Sequence, residues 1–89
     1  MTFYYRVEGR VQGVAFRYNT RKEAVRLGII GNVKNLPDGS VEIHAFGELE
    51  TIQNFEAFLN SSPGHSEVEN IVKKKVNPDF ELSGFSIIY

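Results

Sequence analysis

Phe3, Tyr5 and Val7 alternate with Tyr4, Arg6 and Glu8, the period-two pattern of a strand with one buried face. Beyond the glycine-punctuated stretch from Gly9 to Ala15 the period lengthens. Phe16, Thr20, Ala24 and Leu27 recur at helical spacing, and Gly28 supplies a stop. A second strand is predicted over Ile29 to Leu36. Pro37, Asp38 and Gly39 then mark a turn: proline presets φ, aspartate bonds its own backbone, and glycine accepts positive φ. The third strand sets Val41, Ile43 and Ala45 against Glu42, His44 and Phe46, so a hairpin joins strands two and three. Glu48 to Leu59 predicts a second helix with an Ile52, Phe55 and Leu59 stripe, flanked by Phe58. Glu48 and Glu50 fall in its first turn, at the positive end of the dipole. The run from Asn60 to Gly64 ends it. Residues 67–76 form a fourth strand of ambiguous facing, because Val68, Val72 and Val76 conflict with Ile71. Phe85, Ile87 and Tyr89 alternate in a short last strand.

The order is that of an α+β, ferredoxin-like β-α-β-β-α-β sandwich, with a mainly antiparallel sheet. Right-handed crossovers place both helices on one face. One domain over residues 1–89 is expected, since no repeat, linker or low-complexity segment interrupts the pattern. A hydrophobic share of 42% is enough for a packed core at this length and argues against disorder. Cysteine is absent, which excludes disulfides, thiolate catalysis and thiolate metal sites and suits a reducing cytoplasm. Met1 to Arg6 does not read as a cationic leader, and no apolar stretch would span a bilayer. A cytoplasmic monomer without a membrane partner is the expectation.

Net charge is −1, which gives no general affinity for nucleic acid. Its distribution is uneven. Residues 1–22 carry Arg6, Arg10, Arg17, Arg21 and Lys22 against Glu8 alone, whereas residues 42–69 carry six glutamates and no lysine or arginine. Ordinary surface scatter would also produce such a split. The positive end, however, coincides with the segment of greatest chemical interest. There a strand runs through Arg10, Val11, Gln12, Gly13 and Val14 into a helix that has no Ser, Thr, Asp or Asn cap immediately before Val14. The early N–H donors of that helix need a partner, Gly13 allows close backbone approach, and Arg17 adds a guanidinium fork. Such a nest of amides beside an arginine suits a phosphate.

Local alternatives stand beside this reading. Thr20-x-x-Glu23 fits a capping box that would start the helix later and leave Arg17 in a loop, although Phe16 extends the apolar stripe backwards. The segment lacks the Lys and Ser/Thr of a nucleotide loop and the spacing of a dinucleotide fingerprint. Asn35 shares parity with Val33, so its amide points to the helix-covered face, where it would hold a water and donate to a phosphate oxygen. A plain turn-forming asparagine is the alternative. His44 on a strand exterior and His65 in a loop read as solvated, lack metal-type spacing with the carboxylates, and build no Ser-His-acid set. Asp38 belongs to its turn. An enzyme built from these groups would work by holding charge and orienting water.

Three blocks now stand together: Gly9-x-Val11-Gln12-Gly13-Val14-x-Phe16-Arg17, Gly31-x-Val33-x-Asn35-x-x-Asp38-Gly39-x-Val41, and Phe85-x-Ile87-x-Tyr89. In order and spacing they resemble the acylphosphatase family over essentially the whole chain. The resemblance implies a ferredoxin-like hydrolase of carboxyl-phosphate anhydrides that uses neither metal nor cofactor. It places Arg17 on the phosphate-binding arginine, Asn35 on the asparagine that positions the attacking water, and Arg10 to Val14 on the phosphate loop. The implied partners are a small acyl phosphate as substrate and inorganic phosphate as product and inhibitor. Two positions depart from the pattern. Asn32 stands where an aromatic is usual, which would loosen packing behind the loop. Leu36 and Pro37 stand where a threonine commonly follows the asparagine, which would alter a contact near Asn35. A non-catalytic phosphate-binding or protein-interaction module of the same fold is the alternative. An RNA-recognition module is disfavoured, because Ser40 to Phe46 lacks the aromatic-rich motif such domains require.

Overall fold

A computed structural model describes residues 1–77 and 83–89. The chain runs β1 (Thr2–Arg10), α1 (Phe16–Leu27), β2 (Ile30–Asn35), β3 (Val41–Phe46), α2 (Leu49–Asn60), β4 (Glu67–Val76) and β5 (Phe85–Ile88). The five strands form one sheet in the order β4-β1-β3-β2-β5, antiparallel except where β5 runs parallel to β2. Both helices cover one face, giving the ferredoxin-like α+β sandwich that the periodicity predicts. Elements differ from expectation by a residue at some ends: β2 omits Ile29 and Leu36, and Glu48 is the N-cap of α2 rather than a member of its first turn.

The core lies between that face and the helices. Tyr5, Val7, Val33, Val41, Ile43 and Ala45 from the sheet meet Phe16, Ala24, Ile52, Phe55 and Leu59 from the helices, all at 1% exposure or less. Alternation therefore places side chains as drawn from the sequence, with Glu42, His44 and Phe46 on the opposite, open face. Helix α1 starts at Phe16, so the later start suggested by Thr20 and Glu23 is not used. Thr20 is buried in mid-helix, and Glu23 pairs with Arg26. Gly28 ends the helix in the left-handed region at φ 74°, its N–H turned back to Ala24 and Val25.

The ambiguity of the fourth strand has a structural cause. Along β1 and β4, Phe3 pairs Lys75, Tyr5 pairs Lys73 and Val7 pairs Ile71, which puts Ile71 on the helix face and Val72 and Val76 on the open face. Between Glu8 and Gly9 the register shifts, so that Asn70 opposes Glu8 but Val68 opposes Gly9. Glu69 is the additional residue of a β-bulge, and parity inverts across it. Val68 thus returns to the helix face and packs against the core with Ile71. Gly9 permits the close approach: a Cβ there would lie 2.2 Å from the Glu67 carbonyl oxygen.

Candidate functional site

Register fixes which strand ends meet. Val41 of β3 is opposite Val7 of β1 on one side and Asn35 of β2 on the other, so these three residues form a row across the sheet. Beyond that row β1 continues into the loop from Val11 to Ala15, while β2 enters its turn. The carboxyl end of β5 arrives alongside, with Ile88 opposite Lys34. One end of the sheet therefore gathers the loop, the start of α1, Asn35 and the end of β5.

The loop is anchored through buried side chains. Val11 and Val14 are buried at 1% and 8% exposure, whereas Arg10 and Gly13 are exposed. Gly13 at φ 73° and Ala15 at φ 60° both occupy the left-handed region. For alanine that conformation is strained, at a cost of about 1–2 kcal/mol. Ala15 is the N-cap of α1 and makes no side-chain cap bond. The first backbone bond of the helix runs from Asn19 N–H to Ala15 C=O at 3.0 Å. Among the described residues, no turn or loop hydrogen bond uses an N–H of Val11 to Val14. These donors sit at the positive end of the helix dipole.

Arg17 lies in the first turn of α1, half-buried. Its Nη1 donates to the Ile88 carbonyl at 3.4 Å, and its guanidinium carbon lies 4.9 Å from the centre of the Tyr89 ring. These contacts bring Arg17 to the strand end that neighbours Lys34, one residue before Asn35. Asn35 faces the helix side as its parity predicts. Its Oδ1 is buried and has no hydrogen-bond partner. A buried carbonyl oxygen without a donor is costly and calls for a ligand or a water.

The turn after Asn35 is tightly tied. Gly39 N–H donates to Leu36 C=O at 3.1 Å, Leu36 N–H to Ser40 C=O at 2.9 Å, and Gly39 takes φ 94°. This is a type I turn closed by a left-handed residue, the usual three-residue hairpin loop. Asp38 accepts from the Ser40 hydroxyl and amide, and from Arg6. The Ser40 donors, with Arg6 in support, hold its carboxyl below the usual carboxylate range. Gln12 reaches across from the loop, its Nε2 donating to both Leu36 and Ser40 carbonyls at 2.8 Å.

Two sequence expectations need correction. Asn32 is not behind the loop: it sits on the open face, its Oδ1 3.1 Å from His44 Nδ1. His44 is accordingly half-exposed and paired with Asn32 rather than fully solvated, and it meets Tyr4 edge-on at 5.2 Å. His65 is exposed, as expected. At the other departure from the family pattern, Leu36 supplies a carbonyl to Gln12, a contact made by main chain and so indifferent to the side chain. The Gln12 side chain and Tyr89 escaped the sequence reading as participants. For Tyr89 a signal existed, since its parity with Phe85 and Ile87 aims it at the helix side. For Gln12 none did, because its partners lie 24 and 28 residues away.

Among the described residues no three His, Cys, Asp or Glu side chains gather as a metal site requires, and no helix is long and apolar enough to cross a membrane. Residues 3–87 match the acylphosphatase family model. Among solved structures, an acylphosphatase from Bacillus subtilis is 36% identical with a TM-score of 0.92, over 99% of this chain and 98% of that one. An acylphosphatase from Coxiella burnetii is 34% identical with a TM-score of 0.89, over 98% of this chain and 90% of that one. HypF from T. kodakarensis is 31% identical with a TM-score of 0.88, over the whole of this chain but only 12% of that one. The chain belongs to the acylphosphatase family.

Proposed function

We propose that this protein hydrolyses small acyl phosphates to a carboxylate and inorganic phosphate, with Arg17 and Asn35 as its catalytic residues and no metal or cofactor. The observation that carries the proposal is the buried, partnerless Oδ1 of Asn35 at the sheet end shared with Arg17 and the uncapped helix. The main chain of Arg10 to Val14 receives the phosphoryl oxygens, and the Arg17 fork neutralises charge on them. Asn35 accepts a hydrogen bond from a water and holds it in line with the bond to be broken.

Water attacks phosphorus, the bond from phosphorus to the acyl oxygen breaks, and a carboxylate departs. A carboxylate is a weak base, so a general acid on the protein contributes little. The water's proton passes to a phosphoryl oxygen, which makes the substrate its own base. Catalysis then consists of positioning and charge stabilisation, the two means that dominate phosphoryl transfer.

Benzoyl phosphate hydrolysis tests the proposal. Arg17→Ala should lose about 10²-fold or more in turnover, the usual contribution of one preorganised donor. Asn35→Ala should lower kcat while leaving phosphate inhibition competitive and little changed. Turnover should persist in EDTA. Near-normal activity in Arg17→Ala would remove that residue from the mechanism. A second reading, a non-catalytic module, is favoured by one observation only: the same fold forms 12% of the longer HypF chain. An inactive wild type that still binds phosphate would decide for it.

A further inference from the structure

The Nε2 of Gln12 has two hydrogens, and both are used, one on the Leu36 carbonyl and one on that of Ser40. These carbonyls already accept from Gly39 and Leu36 N–H groups within the turn. Gln12 is therefore not required to close the hairpin. What it adds is a strap between two separate segments: the loop after β1 and the turn after β2, which begins one residue beyond Asn35.

We infer that Gln12 is a positioning residue, whose side chain sets the spacing between the loop that receives the phosphoryl group and the amide that holds the attacking water. The inference rests on the acyl phosphate reading above and deepens it. In-line attack fixes both the phosphorus and the water, yet these are held by different segments of the chain. The β1–β3–β2 ladder joins those segments only as far as the Val7, Val41 and Asn35 row. Past that row Arg6 reaches the turn from within β1, at Asp38 and Ser40, and among the described residues Gln12 is the side chain that joins the loop itself to the turn, through a pair of hydrogen bonds.

Two variants of similar length separate donation from packing. Gln12→Met keeps the bulk and removes both donors, and Gln12→Glu presents carboxylate oxygens to two carbonyl oxygens. Because the turn retains its own backbone bonds, both should fold. Misplacement of order 1 Å can cost about 10²-fold, so kcat for benzoyl phosphate should fall roughly 10- to 100-fold in each variant. The KM and the inhibition constant for inorganic phosphate should move less than about threefold, since ground-state binding is assigned to main-chain N–H groups and Arg17, which both variants keep. Full kcat in Gln12→Met, or a raised KM at unchanged kcat, overturns the inference. Amide hydrogen exchange gives a readout independent of activity: the hydrogen-bonded turn amides of Leu36, Gly39 and Ser40 should exchange faster in Gln12→Met. Unchanged exchange at these amides overturns the strap. A wild type that leaves benzoyl phosphate intact, with exchange responding as described, overturns the hydrolase reading and leaves the strap standing as structure alone.

Discussion

Among the described residues two side chains carry a buried polar atom without a partner, Thr20 Oγ1 and Asn35 Oδ1, and their positions give them opposite meanings. Thr20 lies on the inward face of α1, fully buried among core residues. Valine has the same shape without the hydroxyl, so Thr20→Val should be neutral or stabilising by up to about 1 kcal/mol, with activity unchanged. Asn35 sits where the loop, α1 and β5 meet, and removing its amide should leave stability equal or higher while turnover falls. Urea unfolding and benzoyl phosphate turnover, measured on both variants, check the pair. Loss of stability in Asn35→Ala would mark the amide as a structural brace. The sequence allowed Asn35 to be picked out by parity and position, and Arg17 by its place after an uncapped loop. It placed Thr20 on the inward stripe of α1 but gave no sign that its hydroxyl lacks a partner, which depends on everything packed around it.

Among elements, one carboxylate on α2 ties that helix to the neighbouring strands β1 and β4. Glu56 Oε2 accepts from the Tyr5 hydroxyl at 2.5 Å and lies 2.8 Å from Lys73 Nζ, which also stands 4.4 Å over the Phe3 ring. Burial, then the Glu56 carboxylate, raises the Tyr5 hydroxyl above its ordinary value of 10.0. The unfolded chain therefore releases this proton before the folded one does. The stabilisation is complete below pH 10 and is lost as pH climbs past it, by at most about 1.4 kcal/mol per pH unit for one group. Tyr5→Phe should be less stable than wild type by about 1–2 kcal/mol at pH 8, since a hydrogen bond to a charged group is lost. That difference should shrink between pH 10 and 11. Denaturant titrations of both proteins across that range check it, and a constant gap would remove the hydroxyl from the network. None of this could be read from β4 itself. Its lysines and valines look inconsistent as a simple alternation, and only pairing with β1 reveals the bulge that reconciles them.

Taken whole, the molecule closes its site by joining distant parts of the chain, because β1, β2 and β5 all end at the same side of the sheet. The element order and the buried faces were legible because alternation and helical periodicity are local properties. The fifth strand's parallel place beside β2, and the contact it gives Arg17, are not local and came only with the fold. This assembly implies that an anion bound there should stabilise the entire fold, since the unfolded chain offers no such pocket. Inorganic phosphate at ten times its dissociation constant should add about 1.4 kcal/mol, enough to raise the melting temperature by several degrees at this chain length. Arg17→Ala should lose that increment at the same phosphate concentration, while Asn35→Ala should retain most of it, because Asn35 is assigned chiefly to the water and offers the anion only a neutral amide donor. Thermal melts with and without phosphate, at matched ionic strength using chloride, separate this effect from general screening. An equal shift in wild type and Arg17→Ala would mean that phosphate acts elsewhere on the surface, and the site would lose its anion.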